Sequence, residues 1–352
     1  MKNYLLLFSL LVSLVAFSQT PLEKGDIMIL GVNASNKNNT CSNVGADPDY
    51  DNIYLVSFVN IPNGTTFQIT DNRYISGNSF GNTEGFISFR RTGGAILAGT
   101  IFKIDFPNVI SVGTILNGWT VDSRSGSFAL SSTSEQIILF QNATWNNAAG
   151  NVSGTNLKYL LAYNTKRDWL NTVNATNSLL PSSLICHHIS SPSGTRNFAY
   201  YSGSTLENIS HGEWLVRILN NVNWTNAPSC TDFSNNVPTG IFPIRTTIPT
   251  QEICSGEPLN NLEVINETNV VQYQWYSNNL PINTGGTLIP GATTHTFTPS
   301  NTTIGTTYYY CEMTISLPLN TGTVSNNECS FFSNVFQVTV NPNPATSPVI
   351  PL

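Results

Sequence analysis

Apolar and polar positions along the first half of this chain alternate in short blocks, each closed by a turn. Asp26-Ile27-Met28-Ile29-Leu30-Gly31 is an apolar strand. Tyr54-Leu55-Val56-Ser57-Phe58-Val59 is nearly continuous in apolarity, which predicts a strand covered on both faces. Pro62-Asn63-Gly64-Thr65 is a turn, because proline presets φ and Asn-Gly supplies left-handed positions. Thr66-Phe67-Gln68-Ile69-Thr70 then alternates at period two, and further strands are expected at Gly85–Arg90, Ile101–Phe106 and Gln136–Gln141. Gly93-Gly94 and Gly99 punctuate them, a spacing that predicts a sandwich or barrel.

Residues 145–230 are less regular. Ser210-His211-Gly212-Glu213 has capping-box spacing, and Trp214, Leu215, Ile218 and Leu219 follow on one helical face, so one short helix is expected there. From residue 250 the pattern returns to strands, at Val270–Ser277, Thr294–Thr298, Thr306–Thr314 and Asn334–Val340. The expectation is an all-β chain of two β-sandwich domains, with one short helix in the first. The first domain would span 19–241, a Pro-bearing linker 242–249, the second domain 250–342, and a Pro-rich tail 343–352.

Residues 1–18 read as a secretory signal. Lys2 precedes an apolar stretch from Leu5 to Phe17 that is short for a bilayer span, and Ala16-Phe17-Ser18 places small residues before a cut at Gln19. No cysteine follows that stretch, so a lipoprotein anchor is not indicated, and no second apolar span occurs. Secretion or display at the cell surface is the expected location.

Charge changes the list of partners. Only 10% of the 352 residues are charged against 40% hydrophobic, and the formal net charge is -6. Solubility must come from Asn, Thr, Ser and Gly, which also suit pleated strands and tight turns. Fourteen Lys and Arg residues without a run argue against nucleic acid and against an anionic membrane surface. Six cysteines, Cys41, Cys186, Cys230, Cys254, Cys311 and Cys329, lack metal-ligand spacing and suit disulfides in an exported chain. Six allow 15 pairings, and with three in each proposed domain either one per domain stays free or one pair crosses the boundary. Cys254–Cys329, tying the first strand of the second domain to the last, is the favoured bridge, and Cys186–Cys230 the next.

Several motifs carry a resemblance. Cys254-Ser255-Gly256, Tyr273-Gln274-Trp275-Tyr276, Gly285-Gly286, Ile289-Pro290-Gly291-Ala292, Thr306-Thr307-Tyr308-Tyr309-Tyr310, Cys329-Ser330 and Val338-Thr339-Val340-Asn341-Pro342 resemble the Ig-like repeats of secreted Bacteroidetes proteins. The resemblance implies that Trp275 packs between the sheets and that Tyr309, two residues before Cys311, forms a tyrosine corner. The usual second-strand cysteine is replaced by the Leu262 and Val264 region. Gly25-Asp26-Ile27, Gly31-Val32-Asn33, Ile61-Pro62-Asn63-Gly64-Thr65, Thr70-Asp71-Asn72, Glu84-Gly85, Ala98-Gly99-Thr100, Leu130-Ser131 and Glu213-Trp214-Leu215 with Asn223-Trp224 make the first domain similar to lamin-tail-type β-sandwiches. Such modules imply export and surface attachment, not a reaction. Secreted proteins of this design often end in a sorting domain for type IX secretion. Here the residues after Pro342 are Pro-rich, so either export ends in the periplasm or medium, or the chain is part of a longer protein.

Candidate chemistry is sparse. Asp47, Asp49 and Asp51 alternate and could supply oxygens to calcium, although Asn52 and Phe58 stand where an EF-hand loop has Gly and Glu. Otherwise no cofactor is expected. Asp71 is expected in an Asx turn, and no sequence feature gives it or Glu84 a catalytic partner. Cys186-His187-His188 suggests a thiol or metal site, but neighbours on a strand point to opposite faces. His211 is expected at a capped helix start and His295 on a surface strand. Of the aromatics, Tyr276, Tyr308 and Tyr310 are the candidates for an outward strip that stacks on sugar rings. Sequons at Asn33, Asn63 and Asn223 are what an Asn- and Thr-rich chain contains by chance.

The functional expectation is an exported, non-enzymatic surface or adhesion-type protein meeting a protein or glycan, with the Ig-like domain as spacer or binding module. A carbohydrate-binding accessory protein, with calcium as a stabilising ion, is the alternative. A secreted hydrolase ranks third.

Overall fold

The structure, a computed structural model, describes residues 20–34, 51–107, 109–130, 136–165, 169, 178–191, 198–317 and 327–344. It is an all-β sandwich fold with two short helices. In the N-terminal module one sheet runs Trp224–Asn226, Phe198–Tyr201, Ile27–Asn33, Asp51–Ser57, Ile101–Phe106 in spatial order. The second runs His188–Ser190, Lys158–Asn164, Gln136–Gln141, Thr66–Thr70, Phe86–Arg91, Trp119–Ser125, Ile115–Leu116. Their inner faces meet over Ile29, Leu55, Phe67, Phe89, Trp119 and Val121.

Strand Gln136–Gln141 is buried at every position, and the reason lies in what covers each face. Ile137 and Leu139 join the core between the two sheets. Ile138 and Phe140 point the other way, into a second apolar cluster with Tyr74, Phe80, Phe86 and Trp169. A small sheet of Thr144–Asn146, Asn151–Ser153, Ser79–Phe80 and Tyr74–Ser76 supplies part of that cover. Alternation with period two therefore gives no polar side here, because both sides are dry.

Helix α1 (His211–Ile218) begins as its sequence predicts. The Ser210 side chain accepts from the Glu213 amide, and the Glu213 carboxylate accepts from the Ser210 amide at 2.8 Å. A second helix, α2 (Cys230–Asn236), was not anticipated. Ser229 caps it by accepting from the Asp232 amide at 3.1 Å, so the signal was a short Ser-x-x-Asp spacing without a long apolar stripe behind it. Its Phe233 and Val237 lie on strand Ile27–Asn33 at Gly31, where an added Cβ would fall 2.6 Å from Val237 Cγ2.

The C-terminal module has a sheet ordered Thr250–Cys254, Phe336–Asn341, Gly305–Leu317, Val270–Asn278, Thr287–Leu288, with Asn327–Phe332 also pairing to Gly305–Leu317. Leu262–Glu263 and Thr296–Phe297 form the facing pair. Trp275 is fully buried between them, stacked on Phe297 at 5.7 Å, and its indole donates to Thr294 O at 2.8 Å. Tyr309 is buried against Phe297.

The cysteine pairing differs from expectation. Cys186 is bonded to Cys329, across 143 residues of chain and from one module to the other. Cys230 is also disulfide-bonded, whereas Cys254 and Cys311 are free thiols. The expected Cys254–Cys329 bridge fails on topology. Cys254 ends the edge strand opposite Asn341, whose own strand pairs with the start of Gly305–Leu317, while Cys329 pairs with Ile315 near that long strand's other end. The Cys186–Cys230 bridge fails because Cys186, just after a short 3-10 turn, is taken by Cys329 of the second module, and Cys230 opens α2 in a separate apolar cluster with Phe198 and Phe233. Replacing both Cys186 and Cys329 with serine is expected to cost about 2–4 kcal/mol, because a long loop is then released in the unfolded chain. Urea unfolding should show the midpoint fall, with far-UV dichroism unchanged. An unchanged midpoint would mean that side chains alone hold the junction.

Candidate functional site

The best-defined constellation of charged and titratable groups lies in the seam between the modules. The Glu213 side chain, 1% exposed, accepts from Arg245 Nη2 at 2.7 Å and from the Ile265 amide at 3.2 Å. One carboxylate thus caps α1, holds the 242–249 segment and receives the second module. Arg245 in turn lies over the Phe336 ring at 5.3 Å, and Asn334 Nδ2 donates to Arg245 O. The linker segment itself is packed: Phe242 is buried, the Trp214 indole donates to Pro243 O at 2.9 Å, and the Arg245 amide donates to Ile209 O at 2.9 Å.

Farther along α1, Arg217 Nε donates to Glu267 Oε1 at 2.7 Å, and Asn269 Nδ2 donates to Val216 O at 3.0 Å. Both Asn220 and Asn223 also reach Glu267. Gly212 meets Phe332 so closely that an added Cβ would sit 2.0 Å from Phe332 O. That contact requires glycine in the first turn of the helix. A single apolar cluster continues from the first core through Trp214 and Leu215 into Leu262, Trp275 and Phe331. Glu213 was legible as a capping residue; its hold on Arg245 and Ile265 had no local signal, because both partners are distant in sequence.

Two of the histidines, His187 and His211, also lie at this seam. His187 is set edge-on to Phe331 at 5.8 Å, and burial pushes its imidazole down to about 4, with Lys24, His211 and His188 adding repulsion. Burial likewise lowers His188 to about 4, and its Nδ1 meets Ile185 O at 2.8 Å. His211 stacks on Phe58 at 4.6 Å with Nε2 at 3.0 Å from Gly25 O, and burial lowers it too. Cys186 is oxidised, so the Cys-His-His triplet holds no free thiol. His295 lies 6.2 Å from the Tyr273 ring.

The acidic candidates have structural occupations. Asp71 is completely buried and accepts from the Gly85 amide at 2.6 Å and the Ala129 amide at 2.8 Å. It therefore ties two distant segments together in addition to any local turn. Burial holds it well above the usual carboxylate range, and Glu84 is raised for the same first reason. Asp51 accepts from the Leu130 amide at 2.7 Å; Asp47 and Asp49 lie outside the described residues. Among the described residues, no group of three or more His, Cys, Asp or Glu side chains could share a metal ion.

The aromatic strip is assembled in part. Tyr276 and Tyr310 are opposite in register and stack at 5.1 Å with planes 8° apart. Tyr310 is 2% exposed, since the Gly286 amide donates to its hydroxyl at 2.9 Å and Phe332 packs edge-on to its ring. Tyr276 donates to Glu312 Oε2 at 2.8 Å, a bond that with desolvation pushes its phenol up to about 12. Tyr308 is half-buried, opposite Asn278 and Gln337. Accessible ring surface is thus confined to Tyr276 and Tyr308.

No protein-family model, curated protein or solved structure matches this chain. Among the described residues, no helix is long and apolar enough to cross a membrane.

Proposed function

We propose that this chain is an exported, non-enzymatic surface or adhesion-type protein whose two sandwiches act as one stiff unit. The observation that carries the reading is the seam: a disulfide, a buried Glu213–Arg245 pair and a continuous core join the modules. A disulfide between distant segments suits an oxidising compartment. A stiff pair of sandwiches holds its turn-rich ends at constant separation, which serves display and partner contact. The ionisable groups that might suggest catalysis support the fold instead, as Asp71 and His188 do through backbone partners. A protein or glycan at the cell surface is the partner class.

The test is made in the producing cell. A membrane-impermeant amine label should reach the protein on intact cells, and Cys186 and Cys329 should resist alkylation until reductant is added. Recovery in the cytosol with both thiols reactive would overturn the reading. The carbohydrate-binding alternative is favoured by the half-exposed Tyr276 and Tyr308 on one sheet face. A glycan screen with and without chelator separates it, and also tests the calcium contribution assigned to Asp47, Asp49 and Asp51.

A further inference from the structure

Outside the seam, a cavity of about 220 Å³ opens on the N-terminal module between Glu23, Lys24, Leu157, Lys158, Tyr159 and Ser183. It is smaller than the roughly 300–1,000 Å³ of sites for drug-sized ligands, so it suits one ring and not an extended chain. The backbone behind part of its lining is anchored. Leu22 is fully buried and its amide donates to Gln141 Oε1 at 2.7 Å, which anchors the segment carrying Glu23 and Lys24. The Glu23 amide is held by Asp26 Oδ2 at 2.7 Å. The Tyr159 ring packs edge-on to Phe140 at 5.0 Å, and its hydroxyl lies within hydrogen-bond reach of Gly77 O at 3.1 Å and Asn78 Oδ1 at 3.0 Å. Ser183 lies in the short 3-10 turn that buries Leu184.

The chemistry of this lining is specific. Lys158 donates to Leu22 O at 3.2 Å and pairs with Glu23, setting a strong donor beside a strong acceptor at the cavity edge. Neighbouring hydroxyls on a sugar ring present that same donor and acceptor pair. Lys24 adds a second ammonium, so the lining carries two cations and one anion in a chain of net charge -6. Tyr159 and Leu157 give an apolar wall for a ring face.

We propose that this cavity binds a single anionic sugar residue of the uronate type. Lys24 and Lys158 take the carboxylate, Glu23 and Ser183 take ring hydroxyls, and Tyr159 with Leu157 covers the ring. The anchored backbone of the segment that carries Glu23 and Lys24 lowers part of the ordering cost of binding. This deepens the display reading by naming what one surface holds, and it rests on that reading only for its biological setting.

The test titrates the full-length protein with sodium D-glucuronate, D-glucose and sodium acetate, followed by NMR shifts and calorimetry. Glucuronate should bind saturably in the millimolar range and more tightly than either control. Its affinity should fall about tenfold or more in Lys158→Gln and in Lys24→Gln, the expected loss of a charge-assisted bond. Near-UV dichroism matching the parent shows that each variant is folded. Absence of saturable glucuronate binding, equal binding of acetate, or indifference to both substitutions would overturn the proposal. Any of these leaves surface labelling on intact cells unaffected, so the display reading fails or survives separately.

Discussion

Glu213→Ala is expected to destabilise the protein by about 3–5 kcal/mol, the cost of removing one partner from a buried ion pair. Three losses coincide at this position. The α1 capping box disappears, Arg245 loses its carboxylate, and the Ile265 amide loses its acceptor. Arg245 is largely buried, so its charge is not simply returned to water. Glu213→Gln keeps an acceptor and should lose less. Because Glu213 joins both modules, the decisive measurement is coupling between them. In the parent, indole fluorescence and far-UV dichroism should report one urea transition. In Glu213→Ala the two signals should separate as the modules unfold independently. A single transition with the parent midpoint would refute the seam's importance.

Acidification from pH 7 to pH 5 is expected to weaken the fold through the buried histidines. His187 and His188 sit at about 4 in the folded state against the ordinary 6.5, so the unfolded chain binds protons first as pH falls. Stability is therefore fully present above about 6.5 and is lost between there and about 4. At pH 5 each contributes a loss of about 2 kcal/mol. His211, lowered in the same direction, adds to it. The carboxyls act oppositely: Asp26, Asp71 and Glu84 are raised by burial, so protons favour the folded state there and offset part of the loss. Single variants isolate the terms. The difference in stability between pH 7 and pH 5 should shrink by about 2 kcal/mol in His187→Gln, measured by urea unfolding. An identical pH dependence in parent and variant would mean that His187 is already solvated in the native protein.

Legibility followed the range of the determining interactions. Thr66–Thr70, Ile101–Phe106 and Gln136–Gln141 were readable to the residue, because period, β-branching and flanking turns act within a few positions. The turn at Pro62–Thr65 closes as its composition requires, with Gly64 at φ 88°. Helix α1 was readable from its cap, whereas α2 is only seven residues long and gains its stability by packing Phe233 on its neighbours. Among the candidate site residues, the sequence placed the tyrosines on a common strand face, but not the Gly286 contact that covers Tyr310. The Asp71 carboxylate looked local, and its bond to Ala129 spans 58 positions.

By itself, then, the order of residues determined that this chain is built of strands, where most of them run, and how α1 starts, since neighbouring residues set backbone preference and capping. Which cysteines meet, which carboxylate is buried, and that the 242–249 segment is packed against both modules were decided only by the tertiary structure. Those features join positions such as Cys186 and Cys329, or Glu213 and Arg245, that no short-range pattern relates. Their closeness is set by how two sandwiches dock, and docking depends on the summed shape and polarity of whole faces.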